Sequence, residues 1–596
     1  MKLPFSATLS VLTTTALASS PSVTVDAGTL QGGQCANGQD AVYYKGIPYA
    51  EPPVGSLRFQ PPQPYSKFPD GTFDATTPAT ACIQFGDSFV AQGEKSEDCG
   101  SLYLDVWAPS NATKDSKLPV KAWVYGGSNT DGGISDSLYD GCNMAENDQI
   151  LVSINYRLGP LGFMALNSAG IYGNQGIQDI LLGLKWVQDS IAAFGGDPKK
   201  VVLFGQSAGA TDVFAIATLP QAPSLINSAI AESIALPSLL SNSSLQQTGQ
   251  SYAKSLQCST SDMSCLQSKS VDELVKAYHA DDFLNTGLGA VPSLGVDSRY
   301  SHKFWPYVDG DVISENPASR GIQVPTVFGS TQQEGMMSAL SRYNSIPKIK
   351  SATPAAYTSF LQGNFGRAAR LVEHYYPLSL FKSTQFPVIA AIETVITDAE
   401  FKCPGYQSAV QAAQKNMPAW IYEFTHNSSC VWLSTMQQAY VSVYGAAHTA
   451  ELPYVFGNLD FDFPDQNTTC TGTPAEWDLS KEMDSLWTAM AENGNPSTED
   501  IHWPSFEITA TGADTPGMIF GNSSTPGAID FSPCKLWARV DAMLSGNNAT
   551  ATATPSGTPK PTESSLENSG GAARISLATV NLLATSIFLV GWMIVS

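Results

Sequence analysis

Charge is scarce in this 596-residue chain: Lys, Arg, Asp and Glu make up 14% of it, and 31 basic against 53 acidic residues leave a formal net charge of −22. A chain so poor in cations repels phosphate instead of releasing its counterions, which excludes a nucleic-acid binder. Histidine is scarcer still. His279, His302, His374, His426, His448 and His502 are all there are, and no two stand in HxH or HExxH spacing, which argues against a metal-activated water and leaves no metal or cofactor expected. Internal repeats and long charge blocks are lacking too, and 43% hydrophobic with 10% aromatic residues excludes disorder for most of the chain.

What is present points outside the cell. Ten cysteines, an even number, accompany N-x-[ST] sequons at Asn111, Asn242, Asn427, Asn467, Asn522 and Asn548, a pairing suited to an oxidising, glycosylating compartment. Lys2 precedes an uncharged stretch over 3–17, and Ala16 and Ala18 supply the small residues a signal peptidase accepts, so residues 1–18 read as a signal peptide. At the other end, residues 546–567 are rich in Thr, Ser and Pro and read as a stalk. Small residues at 568–570, a spacer and an apolar run over 582–595 then make 568–596 a glycosylphosphatidylinositol (GPI) attachment signal, with 569–596 removed. A transmembrane helix over 575–595 is the competing reading, but no Lys or Arg lies beyond it to hold the far end in the cytoplasm. The expected location is the extracellular face of the plasma membrane or cell wall, through a C-terminal lipid anchor.

Residues 19–545 read as one large domain. Residues 120–125 (VKAWVY), 150–156 (ILVSINY), 201–204 (VVLF) and 419–424 (AWIYEF) are strand-like, and Ile177, Ile180, Leu181, Leu184, Val187, Ile191 and Phe194 keep the spacing of one helix face. Strand, helix and strand in turn predict an α/β fold, with a large, mostly parallel central sheet covered by helices on both faces and chemistry at the carboxyl ends of strands.

Directly after VVLF comes Gly205-Gln206-Ser207-Ala208-Gly209, the one GxSxG in the chain, followed by a small-residue helix. A serine on so tight a strand-to-helix turn needs glycine two residues either side, because a Cβ there would clash across the bend. A serine hydroxyl also needs a base, and the base an acid to orient it. His448, in the small-residue loop Gly445-Ala446-Ala447, is the candidate base, whereas His426 opens a sequon and is expected to be exposed. Glu334 follows the strand-like 325–329 (PTVFG) and precedes Gly335, which makes it the candidate acid, and Ser, acid, His is the chain order of α/β-hydrolases.

These residues sit within a longer pattern that resembles the type-B carboxylesterase/lipase family, which includes cholinesterases, fungal lipases and non-catalytic neuroligins. The resemblance runs over residues 23–537. It rests on GIPYAEPPVG (46–55), SEDC (96–99), LYLDVWAP (102–109), NYRLGPLGF (155–163), FGGDP (194–198), GQSAGA (205–210), QEG (333–335) and GAAHTAELPYVFG (445–457). It implies an α/β-hydrolase fold and a serine carboxylic ester hydrolase with Ser207 as nucleophile, Glu334 as acid and His448 as base. It also implies an oxyanion hole from the N–H groups of Gly127, Ser128 and Ala208, where Ser128 departs from the family's third glycine. Gln206 stands where the family usually has Glu, and the 82–99 loop holds no Trp, so cationic esters are not the expected substrate. The substrate is a small-molecule or lipid ester. The same resemblance implies an acyl side lined from residues 301–310, where Phe304 and Trp305 read equally as lining or as ordinary core aromatics, an Arg58–Glu97 ion pair bracing the loop, and disulfides Cys82–Cys99, Cys258–Cys265 and Cys403–Cys534. Cys35, Cys142, Cys430 and Cys470 remain for two further bridges whose pairing the sequence leaves open, Cys430–Cys470 with Cys35–Cys142 being favoured. A neuroligin-like adhesion module on the same fold, or a true lipase, is the alternative function; the complete Ser207, Glu334, His448 set favours the esterase.

Overall fold

The β-branched and aromatic runs of the sequence become neighbours in one sheet. The computed structural model describes residues 20–36, 39–78, 80–86, 95–97, 102–235, 239–280, 304–341, 346–463 and 468–544. The expected signal peptide, Cys99, stalk and attachment signal lie outside the described residues. Among these residues eleven strands form the central sheet: β1 (Gly33–Gln34), β2 (Ala41–Pro48), β3 (Tyr103–Pro109), β4 (Leu118–Val124), β5 (Ile150–Ile154), β6 (Gly196–Gln206), β7 (Ser228–Glu232), β8 (Thr326–Thr331), β9 (Ala419–Phe424), β10 (Thr515–Phe520) and β11 (Ser524–Ile529). Their spatial order is β11-β10-β9-β8-β7-β6-β4-β5-β3-β2-β1. From β5 to β10 every neighbouring pair is parallel, and the antiparallel pairs are confined to the two edges.

Helices cover both faces of this sheet, as the register of β7 makes plain. Ser228 and Glu232, two turns of the pleat apart on one face, reach α3 (Pro474–Asn493): Ser228 Oγ donates to the Met490 carbonyl at 2.7 Å and Trp487 Nε1 donates to Glu232 at 2.8 Å. Ala231 lies on the opposite face, in register with Phe328 of β8. There Phe214 of α2 (Ala208–Ala217) meets the Phe328 ring edge-on, with centroids 5.9 Å apart. The expected amphipathic helix is α1 (Gln175–Ser190), continued by a 3-10 turn (Ile191–Phe194); Ile177, Ile180, Leu184, Val187, Ile191 and Phe194 are buried. The chain leaves this turn through Gly195 at φ 95°, a conformation that favours glycine.

Cross-links and buried charges tie the loops to the sheet. Disulfides join Cys35 to Cys142, Cys258 to Cys265, Cys403 to Cys534 and Cys430 to Cys470. Cys82 is also disulfide-bonded, while its expected partner falls outside the described residues. Arg58 pairs with Glu97 and also donates to the Gln267 carbonyl at 3.0 Å, so this pair braces the second cysteine loop as well as the first. Arg157 and Asp179, both buried, form a two-pronged pair at 2.6 and 2.8 Å that fastens the chain after β5 to α1. Asn111, Asn427 and Asn522 are exposed and Asn242 is half-buried.

Candidate active site

Ser207 occupies the turn between β6 and α2 at φ 60° and ψ −121°, a strained conformation for a residue with a side chain. Its neighbours explain the local pattern. A Cβ on Gly205 would lie 2.7 Å from the Val124 carbonyl oxygen, and one on Gly209 2.2 Å from the same atom. The bend therefore forms only because both flanking positions lack a side chain, and it pushes Ser207 out above the sheet's carboxyl edge. The Ser207 N–H donates to the Glu232 carbonyl at 2.9 Å, which pins the turn to β7.

Glu334 follows β8 by three residues and is 1% exposed. One carboxylate oxygen accepts from Ser233 Oγ at 2.6 Å and from the Thr331 N–H at 2.7 Å; the other pairs with His448 Nδ1 at 2.6 Å. With Nδ1 donating to Glu334, Nε2 of His448 is left as the proton-accepting nitrogen. The imidazole is held on a second side by the Phe401 ring, 4.7 Å away, on a π-helical turn (Thr397–Lys402). Thr449, the next residue, stands at φ 73° and receives a hydrogen bond from Trp432 Nε1 at 2.8 Å, which fixes the base's loop from behind.

Ser207 and His448 line the same cavity, of about 270 Å³, although among the described residues no hydrogen bond joins them. Instead the Gln206 amide nitrogen lies 3.1 Å from His448 Nε2 and meets the lone pair that would take the serine proton. Catalytic hydrogen bonds commonly tighten only when substrate is present. In sequence Gln206 reads as a missing charge, not as a partner of His448, and Ser233 and Thr331 carry no signal of their contacts with Glu334.

The glycine stretch after β4 passes directly beside the serine: a Cβ on Gly126 would come within 3.0 Å of the Ser207 Cβ. Gly127 stands at φ 112°, Ser128 at 55° and Asn129 at 55°. Asn129 holds this left-handed run in place, donating to Asp212 at 3.2 Å and accepting from the Tyr156 hydroxyl at 3.0 Å. Among the described residues the N–H groups of Gly127, Ser128 and Ala208 have no protein acceptor. Backbone donors without partners, next to a serine on a helix N-terminus, are what a developing oxyanion needs.

The electrostatics behind the site are those of buried acids. Burial pushes Glu232 up to about 8, and burial together with repulsion from Glu334 and Glu232 pushes Glu451 well above the carboxylate range. Among the described residues neither oxygen of Glu451 has a hydrogen-bond partner. Both shifts favour the uncharged form of these two buried acids. On the cavity wall, burial also raises the carboxyl of Asp136. Among the described residues no cluster of His, Cys, Asp and Glu is arranged to hold a metal ion.

The structure decides one open reading and corrects one expectation. Phe304 and Trp305 do not line the cavity: they are 2% and 1% exposed, and the Phe304 ring meets Tyr252 edge-on at 5.3 Å, because the short strand Tyr307–Val308 draws this segment into the core. His426 is not exposed; its side chain is 13% accessible and pairs with Glu476 at 3.3 Å.

Comparison with known proteins follows the same outline. The model of the family described as Carboxylesterase family matches residues 19–523. The chain is 32% identical over 471 residues to a para-nitrobenzyl esterase of Bacillus subtilis (strain 168), covering 78% of this chain and 88% of the relative. It is 31% identical over 500 residues to a cocaine esterase of Homo sapiens, covering 78% and 81%, and 32% identical over 505 residues to a cholinesterase of Mus musculus, covering 78% of each.

Proposed function

The chain belongs to the carboxylesterase family and is a carboxylic ester hydrolase, and from that premise we propose that Ser207, His448 and Glu334 carry the reaction through an acyl-enzyme. His448 Nε2 takes the proton from Ser207 Oγ as that oxygen attacks the ester carbonyl carbon. The carbonyl oxygen gains charge and is received by the N–H groups of Gly127, Ser128 and Ala208. Glu334, held by three hydrogen bonds, stabilises the imidazolium, which then protonates the departing alkoxide; water repeats the sequence and releases the acid. The observation that carries this reading is the 2.6 Å contact between Glu334 and His448 Nδ1, made across 114 residues of sequence and opening onto the cavity that Ser207 lines. Ser207→Ala is expected to keep the fold and lower ester hydrolysis by several orders of magnitude, and an organophosphate probe to label Ser207. Full activity in that variant would refute the assignment.

The same proposal places the enzyme outside the cell, with residues 1–18 removed and a glycolipid attached near Asn568. The sequons, the disulfides and the composition of the tail support it; among the described residues no helix is long and apolar enough to cross a membrane. Phosphatidylinositol-specific phospholipase C should release active enzyme from cells. Recovery of a peptide containing Trp592 from the mature protein would instead favour a spanning helix.

A further inference from the structure

The cavity has two walls of different origin. One, from Gly126 to Tyr139, follows β4 and carries two of the unpartnered N–H groups, those of Gly127 and Ser128; the other comes from the segment after Cys430 and the chain beyond His448. The second wall is built around a hairpin, Phe461–Phe463 paired with Thr468–Cys470, in which Phe461 stands opposite Cys470. Phe461 and Phe463, two residues apart on a strand, project from the same face. Their rings stack with centroids 5.8 Å apart and planes at 17°, and both line the cavity while half-buried.

The Cys430–Cys470 disulfide ties this hairpin to the segment that leads, two residues on, to Trp432. Trp432 also lines the cavity, and its indole N–H holds Thr449 beside the base at 2.8 Å. Hairpin, disulfide, tryptophan and base loop are thus one connected unit. A pair of flat rings held open to a cavity is an apolar surface with room for a flat partner.

We infer that Phe461 and Phe463 are specificity-determining residues that receive the alcohol moiety of the ester, and that the enzyme prefers esters of aromatic or other flat apolar alcohols. The assignment to the alcohol side follows from proton transfer: His448 must deliver its proton to the leaving oxygen, so the alcohol departs along the base's side of the cavity, which is the side the hairpin covers. The inference rests on the proposed ester-cleaving role of Ser207 and His448.

The test compares ethyl acetate with benzyl acetate, whose leaving alcohols are both alkyl alcohols, on the full glycosylated chain. Wild type should favour benzyl acetate, and Phe461→Ala with Phe463→Ala should lower the benzyl-to-ethyl ratio of kcat/KM by about tenfold, mostly through KM. The leucine pair Phe461→Leu with Phe463→Leu keeps apolar volume but removes the flat faces, and should lower the ratio by about threefold if the alanine pair does not fold. Cys430→Ser with Cys470→Ser, which frees the hairpin, should move the ratio in the same direction. A ratio unchanged in folded variants overturns the inference. So does a fall seen instead between ethyl benzoate and ethyl acetate, which would put the rings on the acyl side. Hydrolysis of ethyl acetate by Ser207→Ala would show the site itself to be misread, a separate failure from that of the wall.

Discussion

Ser233→Ala probes the least obvious member of the site. Ser233 Oγ donates to Glu334 at 2.6 Å, on the oxygen that also accepts the Thr331 N–H at 2.7 Å, while the other oxygen faces His448 at 2.6 Å. Ser233 is fully buried at φ 59°, a conformation alanine occupies at no greater cost than serine, so the variant isolates the hydroxyl. A hydrogen bond to a charged acceptor contributes about 1.5–3 kcal/mol. The part of it that only holds Glu334 in place should appear as lost stability. The part that keeps the carboxylate aimed at the imidazole acts most when that ring is charged, in the transition state, and should appear in kcat. At about 1.4 kcal/mol per decade, the ceiling is a fall of about 10- to 150-fold in kcat, with KM nearly constant. Steady-state hydrolysis of p-nitrophenyl acetate and a thermal melt, run side by side, separate the two contributions. A lowered Tm with kcat intact would mean that Ser233 only packs, and the orienting argument would fail.

Three further outcomes are expected. Burial raises Glu232 and Glu393 to about 8, Asp105 to about 7 and Asp398 to about 6, whereas in the unfolded chain such groups ionise near pH 4. The folded state therefore holds more protons between about pH 4 and pH 8, and stability should fall as pH rises through that window, by up to about 1.4 kcal/mol per unit for each group; a Tm higher at pH 8 than at pH 5.5 would contradict this. Ser128→Gly keeps the backbone N–H and relieves a side chain held at φ 55°, so kcat/KM should stay within about threefold and stability should not drop; a larger loss would assign a role to the hydroxyl. Asp179→Ala strands the buried Arg157 guanidinium and should destabilise by about 3–5 kcal/mol, read as a lower denaturation midpoint; an unchanged midpoint would refute the importance of that pair.

Much of the site can be read from neighbouring residues because its tightest constraints are local. Two glycines about Ser207 are demanded by clashes within a single turn, and the turn is legible wherever it follows a strand. His448 and Glu334 stand out because the chain has so few histidines, one of them in the small-residue loop 445–447, and because Glu334 follows a strand-like run and precedes Gly335. The pairing of Cys430 with Cys470 is favoured but not decided by the sequence, since a bridge spanning 40 residues depends on where both loops dock. Phe304 and Trp305 stay ambiguous in sequence for a related reason: aromatic residues read the same whether they face a cavity or the core, and only the pairing of Tyr307–Val308 with Leu240–Ser241 decides it.

By itself, then, the sequence determined the alternation of strands and helices, the strained serine turn and the chain order of the three candidate groups, because hydrophobic period and steric exclusion act between residues a few positions apart. Tertiary structure alone decided which side chains surround those groups. Gln206 reaches His448 across 242 residues, Ser233 reaches Glu334 across 101, and Phe461 lines the cavity with Gly127. Those distances are set by the register of parallel strands and the docking of loops on their carboxyl edge, a sum of many weak contacts that no short stretch of sequence contains.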